Sequence, residues 1–201
     1  MTVTVQLALA SLRRSVSVQT FLNQLSGDNV QTLLLARPVE WMILPTSVDY
    51  LRSYDWEILL ILEPESQLPE SIEKLVDAVY MLHVQQSDTA INDFRERNKK
   101  DLSQTEGLPP LQHLGKRPLR SLSSQRLELS PSLLALAHSE LCPKGPVSML
   151  NFVSFQPWFE AAENYKKYVD ANQAGSQKRV GSRVKFIGMV DNGVSTVGRG
   201  E

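Results

Sequence analysis

Proline is concentrated in one part of the chain. Six of the eleven prolines lie between residues 102 and 146, a segment that is also rich in serine. Proline has no backbone N–H and cannot continue a helix or donate to a sheet ladder, so regular structure should be scarce there. Unstructured runs of this length are uncommon inside one compact domain. We therefore predict that 102–146 is a linker between two modules, interrupted by one short helix that begins at Ser130-Pro131.

The overall charge and the cysteine count exclude several classes of protein. The formal net charge of −1 over 201 residues gives no positive field, so we expect no nucleic-acid partner. The single cysteine, Cys142, excludes an internal disulfide framework and a cysteine-based zinc site. No apolar run approaches the about 18 residues of a membrane span, so we expect a soluble chain without one. Neither Gly-x-Gly-x-x-Gly nor a P-loop pattern occurs, and we expect no cofactor and no metal.

Residues 1–27 contain Arg13 and Arg14, four serines and no acidic residue. This composition is typical of a mitochondrial presequence. The scattered leucines of the same segment also fit the ragged apolar stripe of an ordinary N-terminal helix, or a poorly ordered tail. Both interpretations stay open here. The expected location is the cytoplasm, or the mitochondrion if the segment is a presequence.

Residues 28–101 alternate short apolar runs with helical patterns and predict a divergent α+β module. The run at 56–62 ends at Glu63-Pro64 and predicts a buried strand. Similar runs at 33–35, 41–44 and 79–84 predict three more strands. The segment holds 14 acidic and 7 basic residues, so it carries the negative charge that the other segments balance.

Two helices are predicted within the same module. Pro69 fits the first turn of one helix, and Ser87 is a suitable N-cap for the other. The first helix would have an apolar face made of Ile72, Leu75, Val76 and Val79, and the second would bury Ile91 and Phe94. Strands that alternate with helices are typical of a small α+β layer.

Residues 147–201 form a third pattern, a strand at 147–155, a helix at 158–172 and a strand at 183–190. Gly175 is expected to end the helix, and Asp191-Asn192-Gly193 is a turn signal after the second strand. Two strands and one helix bury too little surface to be stable alone. The segment must therefore pair with the first module, with another subunit or with residues that are not present here.

The same segment resembles the DUF1330 family. The resemblance rests on Ser148-Met149-Leu150-Asn151-Phe152, on Tyr165-Lys166-Lys167-Tyr168 and on the glycine-bounded strand at 181–188. It implies a dimeric α+β barrel, built from ferredoxin-like units. The pieces at 56–60 and 127–131 also resemble fungal proteins that carry a divergent module ahead of a DUF1330-like one. The family continues beyond the position of Glu201, so we expect either a truncated chain or a shortened second module. The predicted fold class is thus α+β, ferredoxin-like or dimeric α+β barrel, with two modules and an incomplete second one.

Three residues are candidates for a functional site. Asn151 interrupts the apolar face of its predicted strand, where a buried amide needs a partner and could polarise a ligand carbonyl. Tyr165 lies three residues from Tyr168 on the predicted helix, so its hydroxyl could donate to a substrate, or the pair could be core and rim residues. His83 lies in an apolar run, where it is either a structural histidine or a catalytic base.

Two functions from different classes stay open. One is a small cofactor-independent enzyme, or a binding protein for a small, partly apolar organic molecule, with a homodimer as the expected assembly. The other is a non-catalytic interaction module that pairs with a partner through an exposed sheet edge. A closed pocket around Asn151, Tyr165 or His83 would favour the first, whereas an open sheet edge with an apolar surface would favour the second.

Overall fold

The computed structural model describes residues 1–39, 49–103, 135–136, 139–140, 147–153, 159–180 and 186–198. The elements, in chain order, are β1 Thr2–Leu12, α1 Val18–Gly27, β2 Thr32–Ala36, α2 Asp49–Arg52, β3 Ile58–Leu62, α3 Glu70–Glu73, β4 Val76–Ser87, α4 Asp88–Ser103, α5 Phe159–Val180 and β5 Met189–Gly198. The chain divides into two compact units. One unit comprises Met1–Arg95 and Ile187–Glu201, and the other comprises Glu96–Phe186.

The first unit is built on a five-stranded antiparallel sheet with the order β2-β3-β1-β4-β5. Together with the helices, this sheet confirms the α+β class. Strand β1 lies at the centre, where it pairs with β3 on one side and with β4 on the other. Strands β2 and β3 confirm the strands predicted at 33–35 and 56–62, and β4 includes the predicted strand at 79–84. The strand predicted at 41–44 lies outside the described residues.

The segment 1–27 is neither a helix throughout nor a tail, because Thr2–Leu12 forms the central strand and only Val18–Gly27 is helical. In β1, Leu7 and Leu9 lie on one face while Ala8 and Ala10 lie on the other, and all four are buried. A strand that is buried on both faces shows a continuous apolar run instead of a two-residue alternation. The helical stripe predicted from the leucines of this segment is therefore wrong for 2–12, which form a strand. In this structure the segment belongs to the folded unit.

One cluster of core residues lies between one face of the sheet and two helices. Phe21 and Leu25 of α1 and Ile72 of α3 pack against the face that contains Ala8 and Ala10. The side chain of Ser17 caps α1 by accepting the N–H of Thr20 at 3.0 Å. Phe21 is wholly buried, as are both alanines, whose small side chains leave room for the ring above the sheet. The remaining members of the core cluster are Leu12, Ile58, Leu60, Leu62, Val76 and Val79.

The helix predicted from Pro69 is much shorter than its apolar pattern suggests. Helix α3 ends at Glu73, and β4 begins at Val76, so Val76 and Val79 lie in the sheet. The ladder between β1 and β4 extends from Thr2 opposite Ser87 to Leu12 opposite Val76, and this long pairing outweighs local helical periodicity. The next helix is confirmed. Ser87 accepts the N–H of Ala90 at the start of α4, and both predicted core residues, Ile91 and Phe94, are buried.

Several predictions for the C-terminal segment are wrong. Residues 147–153 form no strand, and the rest of the predicted strand at 147–155 lies outside the described residues. Helix α5 confirms the predicted helix but continues through Gly175 to Val180. One glycine inside a helix costs only about 1 kcal/mol, so it is a weak stop signal by itself.

Strand β5 is longer and later than predicted, and Asp191-Asn192-Gly193 is not a hairpin turn. Leu82 pairs with Val194 and Val84 pairs with Val190, so three residues of β5 lie opposite His83 alone. The turn-forming tripeptide is therefore accommodated as an irregularity within the strand. The strand completes the sheet by pairing with β4 of the first module, which is one of the three partners expected for this segment.

The contact between α1 and α3 predicts a pH effect. Ser71 donates a hydrogen bond to the Asp28 carboxylate, and Gln24 also donates to it, so these bonds lower the pKa of Asp28. A carboxyl whose pKa is lowered by folding stabilises the fold at pH values above its ordinary pKa. This stabilisation is lost as the pH falls through the pKa of the folded state. In Ser71→Ala we expect the Asp28 pKa to rise towards its ordinary value, as followed by NMR titration of the carboxyl carbon. An unchanged titration would contradict this assignment.

The described helices include none that is long and apolar enough to cross a membrane. Nearly all of the predicted linker at 102–146 lies outside the described residues, including most of the helix predicted near 131–141.

Candidate functional site

The sheet face that carries the core changes from apolar to polar along β1. Thr2, Thr4 and Gln6 follow the same alternation as Ala8 and Ala10, so they continue this face beyond the part that the helices cover. Gln6 lies opposite His83 of β4 in the register. The helices therefore leave the polar end of this sheet face uncovered, where a ligand can contact it.

A cleft of about 420 Å³ lies at this polar end. Strand β1, strand β4 and the turn that follows β3 form its walls. The lining residues are Thr2, Val3, Thr4, Gln6, Pro64, Glu65, Ser66, Gln67 and His83. Seven of these nine residues are polar, so the cleft offers mainly hydrogen-bonding groups to a ligand, with Pro64 as an apolar surface beside them.

Gln6 has an acceptor without a partner in the structure. Its Oε1 atom is buried and forms no hydrogen bond with any residue that the structure describes. Buried polar atoms are nearly always paired, and an unpaired one costs about 1–3 kcal/mol. A ligand N–H or O–H in the cleft would pair with this acceptor once the Gln6 side chain turns its oxygen towards the cleft.

The wall opposite Gln6 is a tight turn. Ser66 donates its backbone N–H to the carbonyl of Glu63 at 3.0 Å, and Glu65 has a φ of 68°. With proline at the second position and a positive φ at the third, residues 63–66 form a type II turn, in which the third position favours glycine. Glu65 therefore occupies a backbone conformation that its own side chain disfavours.

The two carboxylates of this turn have different surroundings. Arg95 of α4 holds Glu63 through two hydrogen bonds, one of them from Nε to Oε1 at 3.0 Å. Within the described ranges, Glu65 forms no ion pair, and its side chain is exposed at the cleft. The turn is thus anchored to α4 through Glu63, while Glu65 presents a charge to the cleft.

His83 is the one predicted site residue that lines the cleft. It is half-buried, and no hydrogen bond joins it to another residue of the described chain. The ring nitrogens of His83 can act as donor or acceptor to a molecule in the cleft.

The other two candidates belong to the second compact unit. Asn151 is exposed and lies outside any strand, so the prediction that it interrupts a buried strand face is wrong. Tyr165 is half-buried on α5, and its ring centroid is 6.0 Å from that of Tyr168, which confirms that the two are neighbours. The structure does not place either of them in the cleft that His83 lines. His113 and His138 lie outside the described residues.

An aromatic cluster occupies the opposite face of the sheet. Tyr50, Tyr54, Trp56 and Tyr80 pack with ring centroids 5.0 to 6.4 Å apart. The Trp56 indole donates to the carbonyl of Leu51 at 2.8 Å, and burial raises the pKa of Tyr50 and of Tyr80. Burial disfavours the phenolate, so these tyrosines stay protonated and act as packing groups with a hydrogen-bonding end.

Metal binding has no support in the described part of the chain, which contains no group of three or more His, Cys, Asp or Glu side chains suited to an ion. Comparison with known proteins finds no relative either. No protein-family model, no curated protein and no solved structure matches the chain. The geometry of the cleft is therefore what bears on function.

Sequence reasoning missed Gln6 and Glu65. The alternation of Thr2, Val3, Thr4 and Val5 is a two-residue pattern that would have indicated a strand with one polar face. Glu63-Pro64 was recognised as the end of a strand, but a positive φ at Glu65 has no signal in a residue type that normally avoids it.

Proposed function

We propose that the first unit binds a small, partly apolar organic molecule in the cleft between β1, β4 and the turn at 63–66. The observation that carries this proposal is the buried, unpaired Oε1 of Gln6 in the same lining as His83. Pro64 offers an apolar surface to the body of such a molecule, and the amide of Gln6 and the imidazole of His83 suit its polar end. His83 stands where its ring can form a hydrogen bond with the bound molecule.

We also propose a ferredoxin-like unit for Thr2–Ser87. The element order β1, α1, β2, β3, α3, β4 with the sheet order β2-β3-β1-β4 supports this finer assignment. A relation to DUF1330 over 146–191, and the homodimer that it implies, remain part of the proposal. Helix α5 and strand β5 support that relation, whereas residues 147–153 lack the strand that it requires.

Pairing through an open sheet edge has less support than ligand binding. The ladder of β5 is irregular opposite His83, and β2 at the other edge has only five residues. Irregular and short edge strands are poor templates for strand addition. The orphaned acceptor of Gln6, by contrast, requires a hydrogen-bond donor.

Binding is tested on the isotope-labelled protein by NMR with three small probes of similar shape, benzylamine, benzyl alcohol and benzoate. The proposal expects at least one probe to shift the backbone amides of cleft residues such as Thr4, Gln6 and His83 in a saturable way. If all three leave these amides unshifted, the proposed function is wrong.

Gln6→Leu is expected to weaken the binding of whichever probe binds. Loss of one hydrogen bond of about 0.5–1.5 kcal/mol raises Kd roughly 2- to 10-fold. The variant should be at least as stable as the wild type, because it removes an unpaired buried acceptor. Gln19→Leu is the matched control, since Gln19 is exposed on α1 and its replacement should leave Kd unchanged. A Gln6→Leu variant with lower stability and wild-type Kd would show that Gln6 is merely structural.

A further inference from the structure

The cleft is better suited to a cation than to an anion. Its nine lining residues include one carboxylate, that of Glu65, and neither lysine nor arginine. The unpaired Oε1 of Gln6 is a further acceptor in the same lining. Protonated amines bring several N–H donors and a positive charge, so these two groups match them in both hydrogen bonding and sign.

The backbone at Glu65 gives a second, independent reason. Glu65 and Asn29 are the non-glycine residues with a positive φ in the described chain. Asn29 directly follows the C-terminal end of α1, and asparagine tolerates a positive φ there. Backbone hydrogen bonds typical of a helix C-terminus form around it, such as the one from the N–H of Asn29 to the carbonyl of Ser26. At Glu65 the type II turn requires the positive φ, but the residue there is glutamate where such a turn favours glycine. Strained backbone concentrates at functional sites, where the side chain concerned serves a ligand.

The surroundings of Glu65 leave its charge available. Its neighbour Glu63 is paired with Arg95, whereas Glu65 has no ion-pair partner within the residues that the structure describes. The carboxylate therefore contributes nothing visible to holding the turn together. An unpaired carboxylate beside a cleft whose lining holds neither lysine nor arginine is available to a cationic ligand.

We propose that the molecule bound in the cleft is a small organic cation, a primary ammonium group on a partly apolar body. The ammonium donates to the carboxylate of Glu65 and, once the Gln6 side chain turns its oxygen towards the cleft, to the Oε1 of Gln6. The apolar body contacts Pro64. This inference rests on the proposed function, since it names the chemical class of the ligand for the same cleft.

The three probes separate the two proposals. Benzylamine is a cation, benzyl alcohol is neutral and benzoate is an anion, so the order of their affinities reports the charge preference of the cleft. We expect benzylamine to bind more tightly than benzyl alcohol by about 2- to 5-fold, the range of an exposed ion pair, and benzoate to bind more weakly than both. Binding of benzyl alcohol or benzoate with an affinity equal to or above that of benzylamine overturns the cation inference and leaves the proposed function standing. Absence of binding by all three overturns both.

Two substitutions at Glu65 complete the test. Glu65→Gln keeps the turn but removes the charge, so the preference for benzylamine over benzyl alcohol should disappear while benzyl alcohol binds as before. Glu65→Gly should reduce the affinity for benzylamine by the same factor and leave Tm no lower than in the wild type, because glycine adopts a positive φ without strain. Asn29→Gly, at the other positive φ, is the control that should leave all three affinities unchanged. A Glu65→Gln variant that retains the benzylamine preference overturns the inference.

Discussion

Replacing Phe21 with alanine is expected to lower the free energy of unfolding by about 3–5 kcal/mol, the range for removing a buried aromatic side chain. The ring is wholly buried between α1 and the face of the sheet that contains Ala8 and Ala10. Both alanines belong to the central strand, and their side chains are too short to fill the space left by the ring. The loss would be a large part of the stability of a typical domain, so part of the protein would be unfolded at 37 °C.

Urea unfolding measured by circular dichroism checks this expectation, and Asn23→Ala on the same helix is the matched control. Asn23 is exposed, so its replacement should change the free energy of unfolding by less than about 0.5 kcal/mol. If Phe21→Ala costs no more than Asn23→Ala, then α1 does not pack on the sheet as the structure shows.

The second large effect is expected at Gly188, just before β5. A Cβ atom at this position would lie 2.1 Å from the Cγ1 of Val84 and 3.1 Å from the backbone oxygen of Gln85. Val84 is buried in β4, and the backbone oxygen cannot rotate away, so Gly188→Ala must displace the chain where it enters the sheet. Overpacking of this kind costs about 1–3 kcal/mol. We expect the cost to be concentrated in the ladder between β4 and β5.

Hydrogen exchange detects the displacement, because amides of β5 that pair with β4 should lose protection while those between β1 and β3 keep theirs. Gly27→Ala is the control. A Cβ at Gly27 would meet nothing within 4 Å, and alanine is the better helix former by up to about 1 kcal/mol, so this variant should be as stable as the wild type or more so. Unchanged protection of β5 in Gly188→Ala would mean that the strand does not enter the sheet at this point.

Much of the first unit follows from local patterns. Apolar runs predicted β2, β3 and half of β4, and the N-cap at Ser87 with Ile91 and Phe94 predicted α4 and its buried residues. These elements can be recognised because the spacing of their apolar residues agrees with the capping and breaking residues at their ends. The run at 58–62 has breakers directly after it, and α4 has a polar cap followed by apolar residues at helical spacing.

Strands β1 and β5 were not predicted correctly, because they form by pairing with strands that are distant in sequence. Strand β1 is buried on both faces over Leu7–Ala10, which hides its alternation, and its composition happens to match a presequence. Strand β5 contains Asp191-Asn192-Gly193, which signals a turn in isolation but forms an irregular part of the ladder against β4. In both, partners distant in sequence decide the conformation.

The candidate site was predicted in part. His83 lines the cleft because it continues the polar face of β4 opposite Gln6. Asn151 was selected because a strand was expected around it, so it failed together with that strand. Glu65 was beyond reach, because its role depends on a backbone angle and on a salt bridge that occupies Glu63 but leaves Glu65 unpaired.

The most direct test of the account is the position of benzylamine on the protein. Intermolecular nuclear Overhauser effects, measured on a saturated sample of the full chain, report which protein protons lie beside the ring and the methylene group. We expect effects to the side chains of Pro64 and Thr4, with the methylene group near Gln6. Effects confined to residues outside the cleft, or none at saturation, would contradict it.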